Sequence, residues 1–533
     1  MKQLSIKLRN ASLALLALVY FGSCTNNNIS LEAGNKLSDL FRIIDKQYVD
    51  TVDMEALVEK TIPKVLAELD PHSVYIPAQK AEESNQELKG SFSGIGIQFM
   101  IQSDTIYVSN IIPGGPAEKV GLMAGDRIVT IDDSLYVGKV VNNDGAMKRL
   151  KGPKGSEVRL GVKRYGEKEL LHYTIVRGNI PVKSVDATYM IDDRWCYIKI
   201  NKFGETTYPE MLIALAQGMQ KGMQGCIIDL RGNTGGYMGA AIQMVNEFLP
   251  KGEMIVYTQG ENTPRYEEHA NGGGSCQKLP IVVLTDETSA SASEIFAGAI
   301  QDNDRGTIIG RRTFGKGLVQ QPIEFSDGSA VRLTIARYYT PSGRCIQKPY
   351  TNGHNEEYEL DLLNRYEHGE FFTQDSIKQD ESAVFKTKNG RTVYGGGGIM
   401  PDIFVPQDTA GYTSYYAAVA KMGLFTRFPF QYTDTHRQQL AQYTTMEELL
   451  LYLKSQNLLE EFVQHASSKG VKRRNNLISK SGPVMMDILY GNIIYNMLGM
   501  EEYVKYLNQT DPVVLKAIEV LDSGLSQPVT PEK

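Results

Sequence analysis

Apolar positions divide the chain into stretches with different periodicities. In residues 35–76 they recur at helical offsets, which predicts a small helical region. Residues 91–178 carry short apolar runs that are typical of strands and are separated by turns rich in glycine. In residues 179–408 strand-like runs alternate with amphipathic helices, and in residues 409–533 the helical period returns. The pattern therefore predicts an α/β core between helical ends, with a mostly-β domain inserted before the core.

The beginning of the chain has the pattern of a secretory leader. A basic start precedes about a dozen apolar residues, which are too few for an ordinary membrane-spanning helix. The FGSC that ends this segment resembles a bacterial lipobox, with Phe21 in place of the usual leucine. We predict a signal peptide over residues 1–23, lipidation of Cys24, and a polar tether over residues 24–34. Simple cleavage near the same place is the alternative. Lipidation would hold the protein on the extracytoplasmic side of a membrane of the bacterial cell envelope.

A glycine-rich loop opens the strand-rich stretch, after a polar linker over residues 77–90. The loop consists of Gly94, Ile95, Gly96 and Ile97. Together with the segment GLMAGDRIVTID it resembles a PDZ domain, which we assign to residues 91–178. Successive backbone N–H groups in such a loop can hold a terminal carboxylate, and an exposed sheet edge can accept the peptide as an added strand. The alternative is a PDZ fold without affinity for peptides.

A predicted strand, a turn and a predicted helix meet at Ser291. Residues 280–285 form a short apolar run that predicts a buried strand, and the apolar positions after Glu294 follow a helical period. A serine at such a junction presents its hydroxyl at the carboxyl edge of a sheet, where the next N–H groups can stabilise an oxyanion. Ser291 and Glu294 also have the spacing of a capping box, so an N-cap without chemistry is the alternative.

Lys316 lies between two glycines in the segment TFGKGLVQQ, which follows the next predicted strand. Apolar residues come directly after it, and burial of its ammonium group would lower its pKa towards that of a general base. The alternative is a solvated lysine, because most lysines are surface charges without a chemical role.

A second junction of the same kind lies at residues 229–236, DLRGNTGG. As a glycine-rich loop it could cradle a phosphate. However, it lacks both the G-K-[ST] and the G-x-G-x-x-G patterns of phosphate- and dinucleotide-binding loops. A phosphate site is therefore disfavoured.

The composition of the chain argues against nucleic-acid binding and against a metal site. At 533 residues the chain is too long for one ordinary core, and its net charge of −6 gives no reason to expect nucleic acid. The five cysteines show no C-x-x-C spacing and the seven histidines no H-E-x-x-H pair, so we expect no metal and no cofactor. Cys196 and Cys226 lie in apolar runs and are expected to be core residues. Disulfides among the remaining cysteines are left open.

The segments SASASEIFAGAIQD and FGKGLVQQ together resemble the signature of the carboxyl-terminal processing peptidases, tail-specific proteases that use a Ser-Lys dyad. The resemblance implies that Ser291 is the nucleophile, that Lys316 is the general base, and that Gln320 orients its amine. It also implies an oxyanion hole. We assign one N–H donor to Gly235, with Gly236 as the second choice, and the other to Ala292.

The resemblance covers residues 35–408 and implies an α/β protease core with crotonase/ClpP-like βαβ repeats over residues 179–408. Residues 350–390 are polar, and we interpret them as an insertion or a substrate-side flap. His72, in the LDPHS segment before the linker, is interpreted as structural. The helices of residues 409–533 are expected to serve dimerisation, adaptor docking or packing.

These observations predict a membrane-tethered serine endopeptidase that captures the carboxyl end of a protein or peptide and cleaves nearby. One alternative is a non-catalytic PDZ scaffold on a protease-like fold, which the intact Ser291, Lys316 and Gln320 disfavour. Another is an acyl-thioester enzyme on a crotonase-like core, which shares the βαβ repeats and the oxyanion chemistry. That alternative leaves the PDZ segment and Lys316 without a purpose.

Overall fold

The computed structural model describes residues 28–524, apart from 79, 82–89 and 103. The predicted signal peptide and Cys24 lie outside the described residues. The first unit of the chain ends at Leu66 and contains two helices, α1 (Asn28–Gln47) and nearly all of α2 (Met54–Ala67). The α2 helix begins where Asp53 Oδ1 accepts the Ala56 N–H at 3.0 Å, an N-terminal cap that the sequence provides locally.

The second unit begins with a short strand, β1 (Val74–Ile76), and carries the mostly-β domain as an insertion. The elements of the insertion are β2 (Ser91–Gly94), β3 (Ile97–Gln102), β4 (Thr105–Ile111), α3 (Pro116–Lys119), β5 (Arg127–Ile131), β6 (Ser134–Leu135), α4 (Asn143–Leu150), β7 (Glu157–Lys163), β8 (Leu171–Val176) and β9 (Gly178–Pro181). β2 and β9 pair with each other and close the insertion at its base. The other strands form an antiparallel sheet in the order β3-β4-β5-β7-β8, with β6 on β5. β3 is an edge strand of this sheet.

The α/β core follows the insertion. Its elements are β10 (Val185–Ile191), β11 (Trp195–Ile200), α5 (Thr207–Gln220), β12 (Gly225–Asp229), α6 (Met238–Asn246), β13 (Met254–Gln259), β14 (Tyr266–His269), β15 (Ile281–Thr285), α7 (Ala292–Asp302), β16 (Thr307–Gly310), β17 (Leu318–Glu324), β18 (Ala330–Tyr339), α8 (Asn355–Glu367), β19 (Val384–Lys386), β20 (Thr392–Tyr394) and β21 (Ile403–Phe404). The stretch interpreted as an insertion or flap thus contains a helix, α8, and a two-stranded hairpin, β19–β20.

The central sheet has the order β10-β11-β12-β15-β16-β21 and is parallel except for β10. β12 and β15 are buried at every position, as expected of parallel strands that are covered on both faces. Their side chains alternate: Ile228 and Val283 pack with α5, α6 and α7, whereas Ile227 and Val282 face the opposite side. A second sheet has the order β1-β18-β13-β14, with β17 on β18.

Seven tail helices complete the described chain, as the helical period predicts. They are α9 (Ser414–Lys421), α10 (Leu424–Leu440), α11 (Met446–Ser455), α12 (Leu458–Ser468), α13 (Asn475–Leu498), α14 (Met500–Asn508) and α15 (Pro512–Asp522). Leu489 and Ile493 of α13 are fully buried, so the apolar stretch there is a core helix. In the described part of the chain, no helix combines the length and the apolar character that crossing a membrane requires.

The tail helices contact both of the domains before them. Val514 and Ala517 of α15 pack on Val282 across the outer face of the central sheet. On the inserted domain, the Arg127 guanidinium donates to Asp434 Oδ2 of α10 at 2.8 Å. The tail helices are therefore part of the packing of the core and of the insertion.

Candidate functional site

Three loops meet at one edge of the central sheet. β12 leads into residues 230–237, named here the glycine loop, and β15 leads into residues 286–291, named the serine loop. Residues 311–317, named the lysine loop, connect β16 to β17. Because β12, β15 and β16 are parallel neighbours, their carboxyl ends lie side by side. Such an edge is the usual position of a site in an open α/β sheet.

Ser291 has a backbone conformation that is rare for a residue with a side chain, with φ 55° and ψ −113°. Of the seven non-glycine residues with positive φ in the described chain, the other six are aspartates. Aspartate tolerates positive φ because its short side chain bonds locally. A serine held this way is strained, and strain of this kind concentrates at functional sites.

The predicted capping box is present at the start of α7. The N–H of Ser291 donates to Glu294 Oε2 at 2.8 Å. The N–H of Glu294 also donates to the main-chain carbonyl of Ser291, at 2.8 Å. The start of the helix therefore does not depend on the serine hydroxyl alone, and the cap is compatible with a chemical role for Ser291.

Asn233 ties the glycine loop to the serine loop. Its fully buried side chain donates from Nδ2 to the Ile200 carbonyl at 2.9 Å and accepts the Gly235 N–H at 2.8 Å. Its main-chain carbonyl accepts the Ala290 N–H at 3.0 Å and the Ser293 hydroxyl at 2.9 Å. The sequence predictions missed Asn233, and its only signal was its place within DLRGNTGG.

Gly235 lies directly against Ser291. A Cβ at Gly235 would come within 2.8 Å of the Ser291 Cβ and 3.0 Å of the Ala292 nitrogen, so a side chain does not fit. Ala292 is the first residue of α7, where a backbone N–H has no intrahelical acceptor. The Gly235 N–H is donated to Asn233, whereas the N–H of Gly236 forms no hydrogen bond within the described residues. The structure therefore brings both predicted oxyanion donors next to the predicted nucleophile.

A buried charge cluster supports the base of the glycine loop. Asp229 accepts hydrogen bonds from Arg231 Nη2 at 2.6 Å, from the Tyr197 hydroxyl at 2.6 Å and from Lys199 Nζ at 3.2 Å. Burial alone would raise the pKa of the Asp229 carboxyl, but Arg231 and Lys199 hold it below its ordinary value. Arg231 also donates from Nη1 to Asp511 Oδ2 at 2.7 Å, which connects the loop to the cap of α15.

Lys316 and Gln320 are in direct contact. Lys316 Nζ donates to Gln320 Oε1 at 3.2 Å. Burial lowers the pKa of the Lys316 ammonium group, and the positive charge of Arg332 lowers it further, while Glu294 and Asp70 act in the opposite direction. The net shift is downward, so the neutral amine is more accessible than in a solvated lysine.

Glu294 connects the serine loop to the lysine loop. Its Oε2 accepts the N–H groups of Ser291 and Lys316, both at 2.8 Å, and its Oε1 accepts the Gly315 N–H at 2.7 Å and the Thr313 hydroxyl at 2.5 Å. Burial raises the pKa of Glu294 to about 7, although all four donors favour the charged form. One carboxylate oxygen therefore holds the main chains of the predicted nucleophile and the predicted base together.

His72 lies close enough to Lys316 for the charge of the lysine to act on its ring. Its Nε2 is 2.7 Å from the Tyr358 hydroxyl of α8, and its N–H donates to Asp70 Oδ1 at 2.9 Å. Burial, together with the positive charge of Lys316, lowers the pKa of His72 to about 4. The ring is therefore uncharged at neutral pH, and its structural role stays a prediction.

The predicted carboxylate-binding loop joins the base of the inserted domain to its edge strand. Gly94 ends β2 and Ile97 begins β3. Between them, Gly96 has φ 83°, and a Cβ there would lie 3.2 Å from the Gly115 Cα. Ile95 is buried, and its carbonyl accepts the Ala117 N–H at 2.8 Å. The loop is thus held in a turn that a side chain at Gly96 would strain.

The described residues contain four cysteines, all without a disulfide. Cys196 and Cys226 are confirmed as core residues, with 1% and 0% of their surfaces exposed. The thiols of Cys276 and Cys345 are also free. Among the residues that the structure describes, no group of three or more His, Cys, Asp or Glu side chains could hold a metal ion.

Three segments match known protein families. Residues 194–356 match peptidase family S41, and residues 93–175 match the PDZ domain, which confirms the predicted domain. Residues 415–499, within the tail helices, match DUF8443, a family of unknown function.

Two relatives and one solved structure extend this match. The chain is 37% identical over 343 residues to the carboxy-terminal-processing protease of Bartonella bacilliformis. This match covers 63% of the chain and 77% of the relative. The chain is 34% identical over 320 residues to the carboxy-terminal processing protease CtpB of Bacillus subtilis, covering 60% and 66%. A solved photosystem II D1 C-terminal processing protease is 24% identical, with a TM-score of 0.35, covering 69% of this chain and 92% of that one. With 77% of a relative matched at 37% identity, the chain belongs to the carboxy-terminal processing proteases, serine peptidases of family S41.

Proposed function

We propose that this serine endopeptidase captures the carboxyl end of a protein in its PDZ domain and cleaves a nearby peptide bond with Ser291 and Lys316. The observation that carries the proposal is the acceptor that the two residues share, Glu294 Oε2. It joins a strained serine and a lysine of lowered pKa in one hydrogen-bonded unit. Membership of a peptidase family further supports catalysis over a non-catalytic scaffold or an acyl-thioester enzyme.

The dyad performs both proton transfers of peptide hydrolysis. Neutral Lys316 takes the proton of the Ser291 hydroxyl while Oγ attacks the carbonyl carbon. Gln320 Oε1 accepts a hydrogen bond from Nζ, which orients the amine. The lysinium then donates its proton to the leaving amine, and water releases the acyl group from Ser291 by the same steps.

The N–H groups of Ala292 and Gly235 hold the oxyanion of the tetrahedral intermediate. The Ala292 N–H lies at the start of α7, where the helix dipole favours negative charge. The Gly235 N–H has to move from Asn233 Oδ1 to the oxyanion. If that hydrogen bond persists in the intermediate, the neighbouring N–H of Gly236 is the donor.

The PDZ domain supplies the recognition of protein ends. The terminal carboxylate binds to the N–H groups of residues 94–97, and the preceding residues add to β3 as a further strand. The position of β3 at the edge of its sheet supports this step.

The dyad is tested in the full chain with Ser291→Ala and Lys316→Arg, using an unfolded protein with an apolar carboxyl end as substrate. Both variants are expected to lose cleavage, because alanine has no nucleophile and a guanidinium does not give up its proton. Lys348→Arg is the matched control, since Lys348 is also a buried lysine of lowered pKa but keeps an ion pair with Asp361 at 2.9 Å. Wild-type turnover by Ser291→Ala or Lys316→Arg would exclude the dyad.

We also propose that Cys24 carries a lipid that tethers the enzyme to the extracytoplasmic face of a bacterial membrane. The lipobox-like FGSC at the end of residues 1–23 supports this tether. Metabolic labelling with a fatty-acid probe is expected to mark the wild-type protein and not Cys24→Ala. An unlabelled mature wild type excludes the anchor. The tail helices as a contact for a second copy or an adaptor stay a prediction.

A further inference from the structure

Tyr338 reaches the site from the second sheet. It lies in β18, and its ring is buried in the core beside α7. The hydroxyl lies 2.6 Å from the main-chain carbonyl oxygen of Lys316 and 3.1 Å from that of Ser291. Its own N–H donates to the Gly317 carbonyl at 3.0 Å, which fixes the strand to the lysine loop. Tyr338 therefore contacts both members of the proposed dyad through their main chains.

Glu294 makes the complementary contacts on the same two residues. Its Oε2 accepts the N–H groups of Ser291 and Lys316, while the Tyr338 hydroxyl faces their carbonyl oxygens. One acceptor and one donor thus hold the peptide units on either side of each residue. Neither side chain has to touch the substrate to control how the two catalytic groups face each other.

We propose that Tyr338 is a positioning residue which, with Glu294, sets the distance and orientation between the Ser291 hydroxyl and the Lys316 amine. The inference rests on the proposed dyad. A hydroxyl has one proton, so Tyr338 donates to one carbonyl at a time, and the shorter contact identifies Lys316 as the main acceptor. Loss of this hydroxyl therefore releases the main chain of Lys316 first.

The hydroxyl remains a donor under the conditions in which the dyad works. Burial raises the pKa of Tyr338 well above its ordinary value, and the charge of Glu294 raises it further. The proton of Tyr338 is therefore retained throughout the pH range in which Lys316 becomes neutral. The contact does not weaken as the base becomes active.

The test is Tyr338→Phe in the full chain, which keeps the ring and removes only the hydroxyl. We expect kcat to fall by about tenfold with KM changed by less than about twofold, because the hydroxyl acts on the two catalytic groups and does not bind the substrate. We also expect the apparent pKa of the pH–kcat/KM profile to rise, since a released Lys316 is better solvated. The reaction of Ser291 with a fluorophosphonate should slow by the same factor.

Tyr339→Phe is the matched control. It removes the same hydroxyl from the next residue of β18, whose side chain points to the opposite face of the strand and stacks on Tyr257 at 4.7 Å between ring centroids. This variant should keep the kcat and the pH profile of the wild type. Near-ultraviolet circular dichroism and thermal unfolding check that both variants are folded.

The outcomes separate the positioning role from the dyad itself. If Ser291→Ala is inactive but Tyr338→Phe keeps wild-type kcat and pH profile, the positioning role is wrong, even when the melting temperature falls. If Ser291→Ala is active, the dyad and the positioning role both fail. Should Tyr338→Phe not fold, Glu294→Gln takes its place, because the neutral amide weakens the hold on the same two main chains. Unchanged kcat in that folded variant overturns the proposal.

Discussion

The serine loop and the glycine loop both follow a fully buried parallel strand and both lead into a helix that packs on the central sheet. At Ser291, φ is 55° and the residue carries a side chain, whereas at Gly235 φ is 99° and a Cβ has no room. The difference follows from what each loop presents. The serine loop presents a hydroxyl and must accept a strained residue with a Cβ, while the glycine loop presents main-chain N–H groups and must exclude one.

Each loop also holds the other. Asp286 of the serine loop accepts the Gly232 N–H through Oδ2 at 3.0 Å. Asn233 of the glycine loop accepts the Ala290 N–H at 3.0 Å. Because these contacts run in both directions, a displacement of one loop is expected to displace the other.

Among the variants that leave the dyad side chains in place, the largest effect is expected from Gly235→Ala. The new Cβ would lie 2.6 Å from the Ala290 carbonyl oxygen and 2.8 Å from the Ser291 Cβ, so the two loops must move apart. We expect kcat to fall by about a thousandfold, as when an oxyanion donor is removed. Steady-state kinetics with the apolar-tail substrate measures this loss.

The control for that variant is Gly232→Ala in the same loop. Gly232 has φ 73°, but nothing lies within 4 Å of a Cβ there, so the change adds backbone strain alone. We expect a loss of stability of about 1 kcal/mol and near-normal kcat. Equal kinetic losses in the two variants would mean that strain, and not the close contact with Ser291, limits the glycine loop.

Asn233→Ala should have the next largest effect. It removes the acceptor of the Gly235 N–H and the donor to the Ile200 carbonyl, and leaves both main-chain groups buried. We expect kcat to fall by about a hundredfold and the free energy of unfolding by about 2 kcal/mol. Urea unfolding and steady-state kinetics measure the two losses separately.

Asn303→Ala is the matched control, because the Asn303 amide also donates to two main-chain carbonyls, those of Met254 and Ala299, in another part of the core. It should lower stability and leave kcat near the wild-type value. If it lowers kcat as much as Asn233→Ala does, general destabilisation accounts for both results.

The pH profile distinguishes the lysine loop, which carries the general base, from the glycine loop, which carries none. The lowered pKa of Lys316 predicts that kcat/KM rises about tenfold per pH unit below that pKa and levels off before the ordinary value of about 10.4. Asn233→Ala should lower kcat/KM by the same factor at every pH and leave the pKa of the profile unchanged, because the glycine loop holds no general base. A flat wild-type profile from pH 6 to 9 would contradict a lysine base.

The lowered pKa of Lys316 also makes the stability of the fold depend on pH. The folded state binds fewer protons at Lys316 than the unfolded state does, at pH values between the lowered pKa and the ordinary one. The contribution of Lys316 to the free energy of unfolding should therefore increase as pH rises from the lowered pKa to the ordinary one. Comparison of wild type with Lys316→Met by urea unfolding at several pH values isolates the contribution.

Local spacing predicted the elements of the site well, because a buried strand, a tight turn and an amphipathic helix are each encoded by neighbouring residues. It singled out Ser291 and Lys316 as candidates, whereas the role of Gln320 and the PDZ domain came from the resemblance to known families. It predicted for Glu294 only a helix cap. The lysine-loop donors to Glu294 lie 19 to 22 residues later, and no periodicity reports such contacts.

Contacts between residues that are far apart in the sequence could not be predicted from local patterns. His72 was interpreted as structural, but its hydrogen-bond partner Tyr358 lies 286 residues later in the polar stretch. The tail helices were predicted from their period, but not their packing on the central sheet. The apolar side chains of Val514 and Ala517 could pack in a helical bundle as well as on a sheet. Only the fold identifies Val282 as their partner.

The smallest effect is expected from Asp511→Asn, which tests whether the tail helices act on the glycine loop. Asparagine caps a helix as well as aspartate does, so α15 keeps its cap and only the ion pair with Arg231 is lost. Asp229 still holds Arg231 through several hydrogen bonds.

We therefore expect about 1 kcal/mol of lost stability and less than about a threefold change in kcat. Asp522→Asn, at the contact of α15 with Trp195, is the matched control. A loss of kcat near that of Asn233→Ala, with the control unaffected, would mean that the glycine loop is held from the tail as well as from the serine loop. The reciprocal hold between the two loops would then be one part of a larger network that includes α15.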